Sequence, residues 1–162
     1  MIVDVSHLNV KSFYDVLSYV KKPVIASHSC CYSLSDHRRN LNDEQLKTLH
    51  DNHGFVGVNS ARNFVSKNPD LQNVKGLVDH IDYLVKHLDI NHVMLGLDMM
   101  DFLHDYEINE ERKNYPNLDD LTTHAMSQNI INELRNRGYQ ENEIELIAWK
   151  NFLNMKKELI GE

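Results

Sequence analysis

The chain is poor in cysteine, in positive charge and in long apolar runs. Its 162 residues include only two cysteines, Cys30 and Cys31, and they are adjacent. A bond between neighbours would close a trivially small loop and crosslink nothing of structural use. A disulfide scaffold is excluded, and a reducing, cytoplasmic setting is the expectation. Lysine and arginine number 17 against 24 acidic residues, a net charge of −7. That balance argues against a nucleic-acid partner, which wants a basic face. The cluster His37-Arg38-Arg39 is too short to change it. No stretch approaches the roughly 18 apolar residues of a membrane span. The first residues lack the charged start and long apolar core of a signal peptide. No low-complexity tract and no glycine-rich phosphate loop occur, so a nucleotide-binding reading has no anchor.

What is present is an alternation of short apolar runs with helical ones. Residues 2–6, 23–27, 55–59 and 93–97 read as strands, each nearly continuously apolar. Asn9 is a candidate N-cap for a helix carrying Val10, Phe13, Val16, Leu17 and Val20 at helical spacing. Asn42-Asp43-Glu44 reads as a second helix start, ended by Asn52-His53-Gly54. Leu77, Ile81, Leu84, Val85 and Leu88 predict a third helix over 74–88. An irregular acidic and aromatic segment is expected over 99–116. Helix, with an internal break admissible, is expected over 117–137, stopped by Gly138, and again over 141–159, with Trp149 packed inward. Four consecutive strand-then-helix units of this kind predict an α/β fold with a parallel sheet covered by helices. A length of 162 residues suits one domain.

Ser-His dipeptides close the first two strands, at His7 and His28. Asp98 closes the fourth. In parallel α/β folds the carboxyl ends of strands hold ligands and metals. All three side chains are therefore expected at one rim. There they could share a metal ion, or could simply cap strand ends against neighbouring loops. Arg38 and Arg39 lie on the rim loop after His28. An arginine there could clamp a carboxylate through two hydrogen bonds, or could be solvated. Cys30 and Cys31 have no base nearby in sequence and read as small buried residues. Met94, Met99 and Met100 read as core or pocket wall. An open, flavodoxin-like binding domain is a further possibility on the strand count alone.

Several segments together resemble the renal or membrane dipeptidase family. They are Asp4-Val5-Ser6-His7, Pro23-Val24-Ile25-Ala26-Ser27-His28-Ser29 and Arg38-Arg39-Asn40-Leu41-Asn42-Asp43. Further on are Leu77-Val78-Asp79-His80-Ile81-Asp82-Tyr83 and His92-Val93-Met94-Leu95-Gly96-Leu97-Asp98. Arg137-Gly138-Tyr139, Glu143-Ile144 and Asn151-Phe152-Leu153 complete the series. The resemblance runs in order over nearly the whole chain. It implies a (β/α)8 TIM-type barrel that holds two zinc ions and hydrolyses dipeptides through a metal-bridging water. The four βα units and terminal helices here would be its C-terminal half. It implies that His7 and His28 bind one zinc. It implies that Arg39 holds the substrate carboxylate, and that Asp98 stands beside the other zinc as ligand and proton carrier. The family's amino-terminal His-x-Asp segment and bridging glutamate have no counterpart in this sequence. The expectation is therefore a partial zinc site, no turnover by this chain alone, and a partner for the exposed half-barrel. That partner would be an N-terminal half or a second copy. Two departures are visible. Asp101 replaces an expected acidic residue one position earlier, and Asn154 stands where an arginine is usual.

Overall fold

The computed structural model describes residues 1–101 and 117–161. Most of the acidic segment expected over 99–116 lies outside the described residues.

The described residues form an α/β fold around a small parallel sheet. Its strands are β1 (Ile25–Ala26), β2 (Phe55–Val58) and β3 (Val93–Leu95), paired in the order β1-β2-β3. Ile25 pairs with Phe55, and Val56 and Gly57 pair with Val93 and Met94. The strand expected over 2–6 is corrected to a single parallel bridge, Asp4 to Ile25. The reason is that the ladder's next donors are diverted to a side chain. The Asp4 carboxylate accepts from the Ser6 amide at 2.9 Å and from the Ser27 amide at 3.1 Å. The same diversion stops β1 at Ala26. Every neighbour in space is a neighbour in sequence. Among the described residues, no reversal of strand order creates the crevice of a flavodoxin-like sheet.

The helices start where their caps are. Asn9 caps α1 (Val10–Tyr19) by accepting from the Ser12 amide. Asn42 opens α2 (Asp43–Asp51) with a reciprocal box. Its Oδ1 accepts from the Gln45 amide, and Gln45 Oε1 accepts from the Asn42 amide. Asn42→Ala is expected to cost about 1 kcal/mol in chemical denaturation. An unchanged midpoint would show that the box contributes nothing. Asn73 caps α4 (Val74–Leu88), whose Leu77, Ile81, Leu84 and Leu88 are fully buried. The polar loop before it is more ordered than its sequence suggests. It forms a short helix, α3 (Arg62–Val65), and a single turn at Pro69–Leu71.

The helix expected over 117–137 is corrected to α5 (Gln128–Asn136), preceded by a tight turn at His124–Ser127. The residues before it serve other elements. Asp120 Oδ1 accepts from the Val74 amide at the start of α4, and the Asn117 carbonyl accepts from Arg62. Gly138, at φ +91°, ends α5 in the left-handed conformation that glycine adopts without strain. Arg137 ties the end of α5 to α4 through Asp79 and Asp82, and is held by Glu133 of α5. The terminal helix begins as α6 (Glu141–Glu145). It widens into a π turn over Leu146–Lys150 and continues as α7 (Asn151–Ile160).

The two faces of the sheet are covered differently. Val56, Val58 and Val93 join the main core with Leu46 and Leu49 of α2 and the buried side of α4. Phe55 and Met94, pointing the other way, pack on Met155 and Leu159 of α7, with Ile2 and Ile25 alongside. Asn151 pins that helix by donating to the carbonyls of Ile90 and Val93 at 2.7 and 2.8 Å. Trp149 does not pack inward as expected and is 48% exposed. The inward stripe is Ile147, Asn151, Met155 and Leu159, which leaves Trp149 on the far side of the helix. Farther along the same sheet face as Phe55, the chain itself crosses the sheet. The Ser27 carbonyl lies where a Cβ on Gly57 or Gly96 would be.

Candidate functional site

The rim at the carboxyl end of the sheet gathers His7, His28, Asn59 and Asp98. His28 follows β1 by two residues, Asn59 follows β2 directly and Asp98 follows β3 by three. His7 and Asp98 both have left-handed backbones, at φ +71° and +57°. Such conformations are uncommon outside glycine and turn the chain sharply. They bring both side chains over the rim instead of along the strand direction.

His7 Nε2 and His28 Nε2 face each other at 2.9 Å. The protonation of His28 follows from its neighbours. Ser27 Oγ donates its only proton to Asp4 Oδ2 at 2.5 Å. It must therefore accept at 2.7 Å from His28 Nδ1, which carries the imidazole hydrogen. That leaves His28 Nε2 with a free lone pair aimed at His7. The amide of His28 is fixed as well, donating to Ser6 Oγ at 3.2 Å. A carboxylate acting through a hydroxyl to orient an imidazole is the support that metal-ligating histidines usually have. The hydrogen bonds that Asp4 accepts hold its carboxyl below the usual range, against the opposing effect of burial. Asp4 is thus an ionised acceptor at neutral pH.

Desolvation, with the nearby cation of Arg39, lowers the pKa of His7 below its ordinary value. A neutral ring is the form that binds a metal. Two nitrogens on one tetrahedral zinc lie about 3.3 Å apart, a few tenths of an ångström from the separation here. The pair therefore fits one end of a metal site. Asp98 Oδ2 is 4.0 Å from His28 Nε2 and accepts from Asn59 Nδ2 at 3.3 Å. Among the described residues, no group of three or more His, Cys, Asp or Glu side chains is arranged to hold a metal. A catalytic zinc normally has about three protein ligands.

Arg39 reaches the same rim by another route. Its guanidinium stands over the Phe64 ring, 5.6 Å from the centroid, and its charge is felt at His7. The loop that carries it is held by buried groups. Asn40 Nδ2 donates to the carbonyls of Ser35 and Phe64, both at 2.8 Å. His80, on α4, accepts from the Cys31 amide through Nδ1 at 3.0 Å and donates from Nε2 to the Val65 carbonyl at 2.8 Å. Cys30 and Cys31 are fully buried, as their sequence context suggests. Burial pushes the Cys30 thiol up to about 12, far from a nucleophile's range.

The sequence profile described as membrane dipeptidase, peptidase family M19, matches residues 1–160. This chain belongs to the membrane dipeptidase family. An uncharacterised protein in the pqqA 5′ region of Klebsiella pneumoniae is 32% identical over 160 residues, 97% of this chain and 54% of that protein. The dipeptidase tcpJ of Claviceps purpurea is 28% identical over 98% of this chain and 35% of its own length. Two solved structures share the fold at 24% identity. An amidohydrolase from Pseudomonas aeruginosa superposes with a TM-score of 0.88, over 100% of this chain and 53% of its own. A metallopeptidase from Rhodobacter sphaeroides, liganded with a phosphinate mimic of L-Ala-D-Ala, gives 0.81 over 96% and 41%. The chain thus spans about half, or less, of the relatives it matches.

Of the four site residues that sequence suggests, the structure brings His7, His28 and Asp98 within one cluster, with Arg39 close enough to act on His7. Sequence reading overlooks Asp4, Ser27 and Asn59, which hold them. Asp4 is visible only once its register with Ile25 is known. The open cleft lined by Tyr32, Ser35, Lys67 and Leu71 shares no residue with this cluster. A substrate pocket at the rim would need walls beyond these residues.

Proposed function

We propose that this chain is the carboxyl-terminal half of a (β/α)8 barrel and carries one side of a dipeptide-hydrolysing metal site. The observation that carries the reading is the His7–His28 pair, with the His28 tautomer fixed by Asp4 and Ser27 so that its Nε2 lone pair is free. Zinc suits two imidazoles. When bound, the metal supplies a Lewis acid and an activated water. The chain's own residues do the rest. His7 and His28 hold the ion from one side. Arg39, steadied on Phe64, receives the carboxylate of a dipeptide through a two-bonded clamp. Asp98 Oδ2 takes a proton from the attacking water and returns it to the leaving amine. Asn59 keeps that oxygen at the rim.

Two histidines leave the shell of the ion incomplete, so the remaining ligands belong to the other half of the barrel. The chain alone is expected to take up zinc weakly and to hydrolyse no dipeptide. Calorimetric titration of the chain with zinc should show one weak site that His28→Ala removes. Unchanged stoichiometry in that variant would place the metal elsewhere. Turnover of Leu-D-Ala by the purified chain with added zinc would overturn the half-site reading.

A further inference from the structure

We infer that the outer face of the terminal helix, Trp149, Phe152, Leu153 and Ile160, docks against the complementary half of the barrel. This rests on the half-barrel reading above and adds to it a surface.

The helix is apolar on two sides. One side, Ile147, Met155 and Leu159 with Asn151 among them, is buried on the sheet. The other side holds Trp149, Phe152, Leu153 and Ile160, each about half exposed, at 48, 52, 49 and 49%. At 100° per residue Trp149, Leu153 and Ile160 lie roughly opposite the buried stripe, and Phe152 lies at its edge beside Leu159. An exposed apolar patch of this kind marks an interaction site.

The position of the helix says what covers it. It crosses the amino ends of the strands, on the face turned away from α2 and α4. Its contacts there are Phe55, the first residue of β2, and Met94, the second of β3, with Ile2 and Ile25, the first residue of β1, alongside. Strands that follow one another in a parallel sheet, with helices on one side, close into a ring by continuing the same turn. The strands that complete such a ring pass the same end from the opposite side. The outer face of the helix is then the surface their first apolar side chains meet. The lengths agree, because this chain matches only 54% of the Klebsiella relative and 53% of the Pseudomonas structure.

Trp149 is the chain's one tryptophan and makes the test direct. The chain is labelled with 5-fluorotryptophan and mixed with the portion of the Klebsiella relative that it does not match. The two portions are also joined in one polypeptide. The expected result is a complex in which the fluorine resonance moves and loses its solvent sensitivity. The double variant Phe152→Glu, Leu153→Glu should weaken the complex about 100-fold while leaving the circular dichroism of the free chain unchanged. A complex with an unmoved resonance overturns this surface and leaves the half-barrel standing. Failure to associate both as a mixture and as a joined chain overturns the half-barrel, and this surface with it. A resonance that moves with concentration of the chain alone assigns the face to a second copy and overturns the proposal.

Discussion

Gly96→Ala is expected to lower the unfolding free energy by about 4 kcal/mol, a change large enough to leave a domain of this size marginal. A Cβ at this position runs into the Ser27 carbonyl, which is backbone and cannot swing aside as a flexible side chain would. The same collision awaits Gly57→Ala. Relief would require lifting the segment from Ser27 to Ser29, and that segment is itself bonded down. The Ser29 amide donates to the Gly57 carbonyl at 2.8 Å. Gly138→Ala is the control. Nothing lies near its Cβ, so it bears only the strain of φ +91°, about 1 kcal/mol. Urea unfolding of the three variants decides the matter. Equal losses at Gly96 and Gly138 would mean that the close approach carries no energy. Because His28 follows Ser27, any Gly96 variant that still folds should also bind zinc less well than the parent chain.

His80→Ala should cost a similar amount, about 4 kcal/mol, by a different cause. His80 is 1% exposed and joins three segments that are distant in sequence. Removing the ring leaves the Cys31 amide and the Val65 carbonyl without their partners. Each such buried group costs roughly 1–3 kcal/mol, and the cavity adds to it. The effect should depend on pH. Nδ1 accepts a hydrogen bond, so a second ring proton would confront the Cys31 amide, and burial lowers the pKa of His80 below its ordinary 6.5. The unfolded chain therefore binds this proton more readily than the folded one. The stability due to a neutral His80 is complete above about pH 6.5 and is lost as pH falls through the folded value. His80→Ala should flatten the stability profile below about pH 6.5. His7 and His37, also lowered, keep some slope in place. A variant with the parent's full slope would remove His80 from this account.

The features that sequence makes legible are those decided by neighbours along the chain. Asn9 and Asn42 cap the helices that follow them because a short acceptor side chain can reach an amide three residues on. Gly138 ends α5 because its φ requires a residue without a Cβ. The site is legible to the extent that strand ends mark a rim, and so His7, His28 and Asp98 can be picked out together. What holds them is not legible in this way. Asp4 looks like an ordinary polar residue inside an apolar run until its pairing with Ile25 sets it beside Ser27. His80 looks like one polar residue on an amphipathic helix until Cys31 and Val65, distant by 49 and 15 positions, arrive at its two nitrogens. The residues 117–123 read as helix by composition, but their polar groups are taken by Val74 and Arg62. Trp149 misleads for a related reason. Its side of the helix depends on the phase of the turns before it.

That phase is the work of the π turn over Leu146–Lys150. An α-helix advances 100° per residue, and the wider turn holds back part of that rotation. Rewind it as regular α-helix with every residue kept, and its own bonding is undisturbed. Asn151 would then be swung by about 100° from the carbonyls of Ile90 and Val93. Met155 and Leu159 would leave the sheet with it. The irregular turn is a gear between two ends of one rod: α6 takes its bearing from α5, α7 takes its bearing from the strands, and only a helix that slips by one tooth can mesh with both.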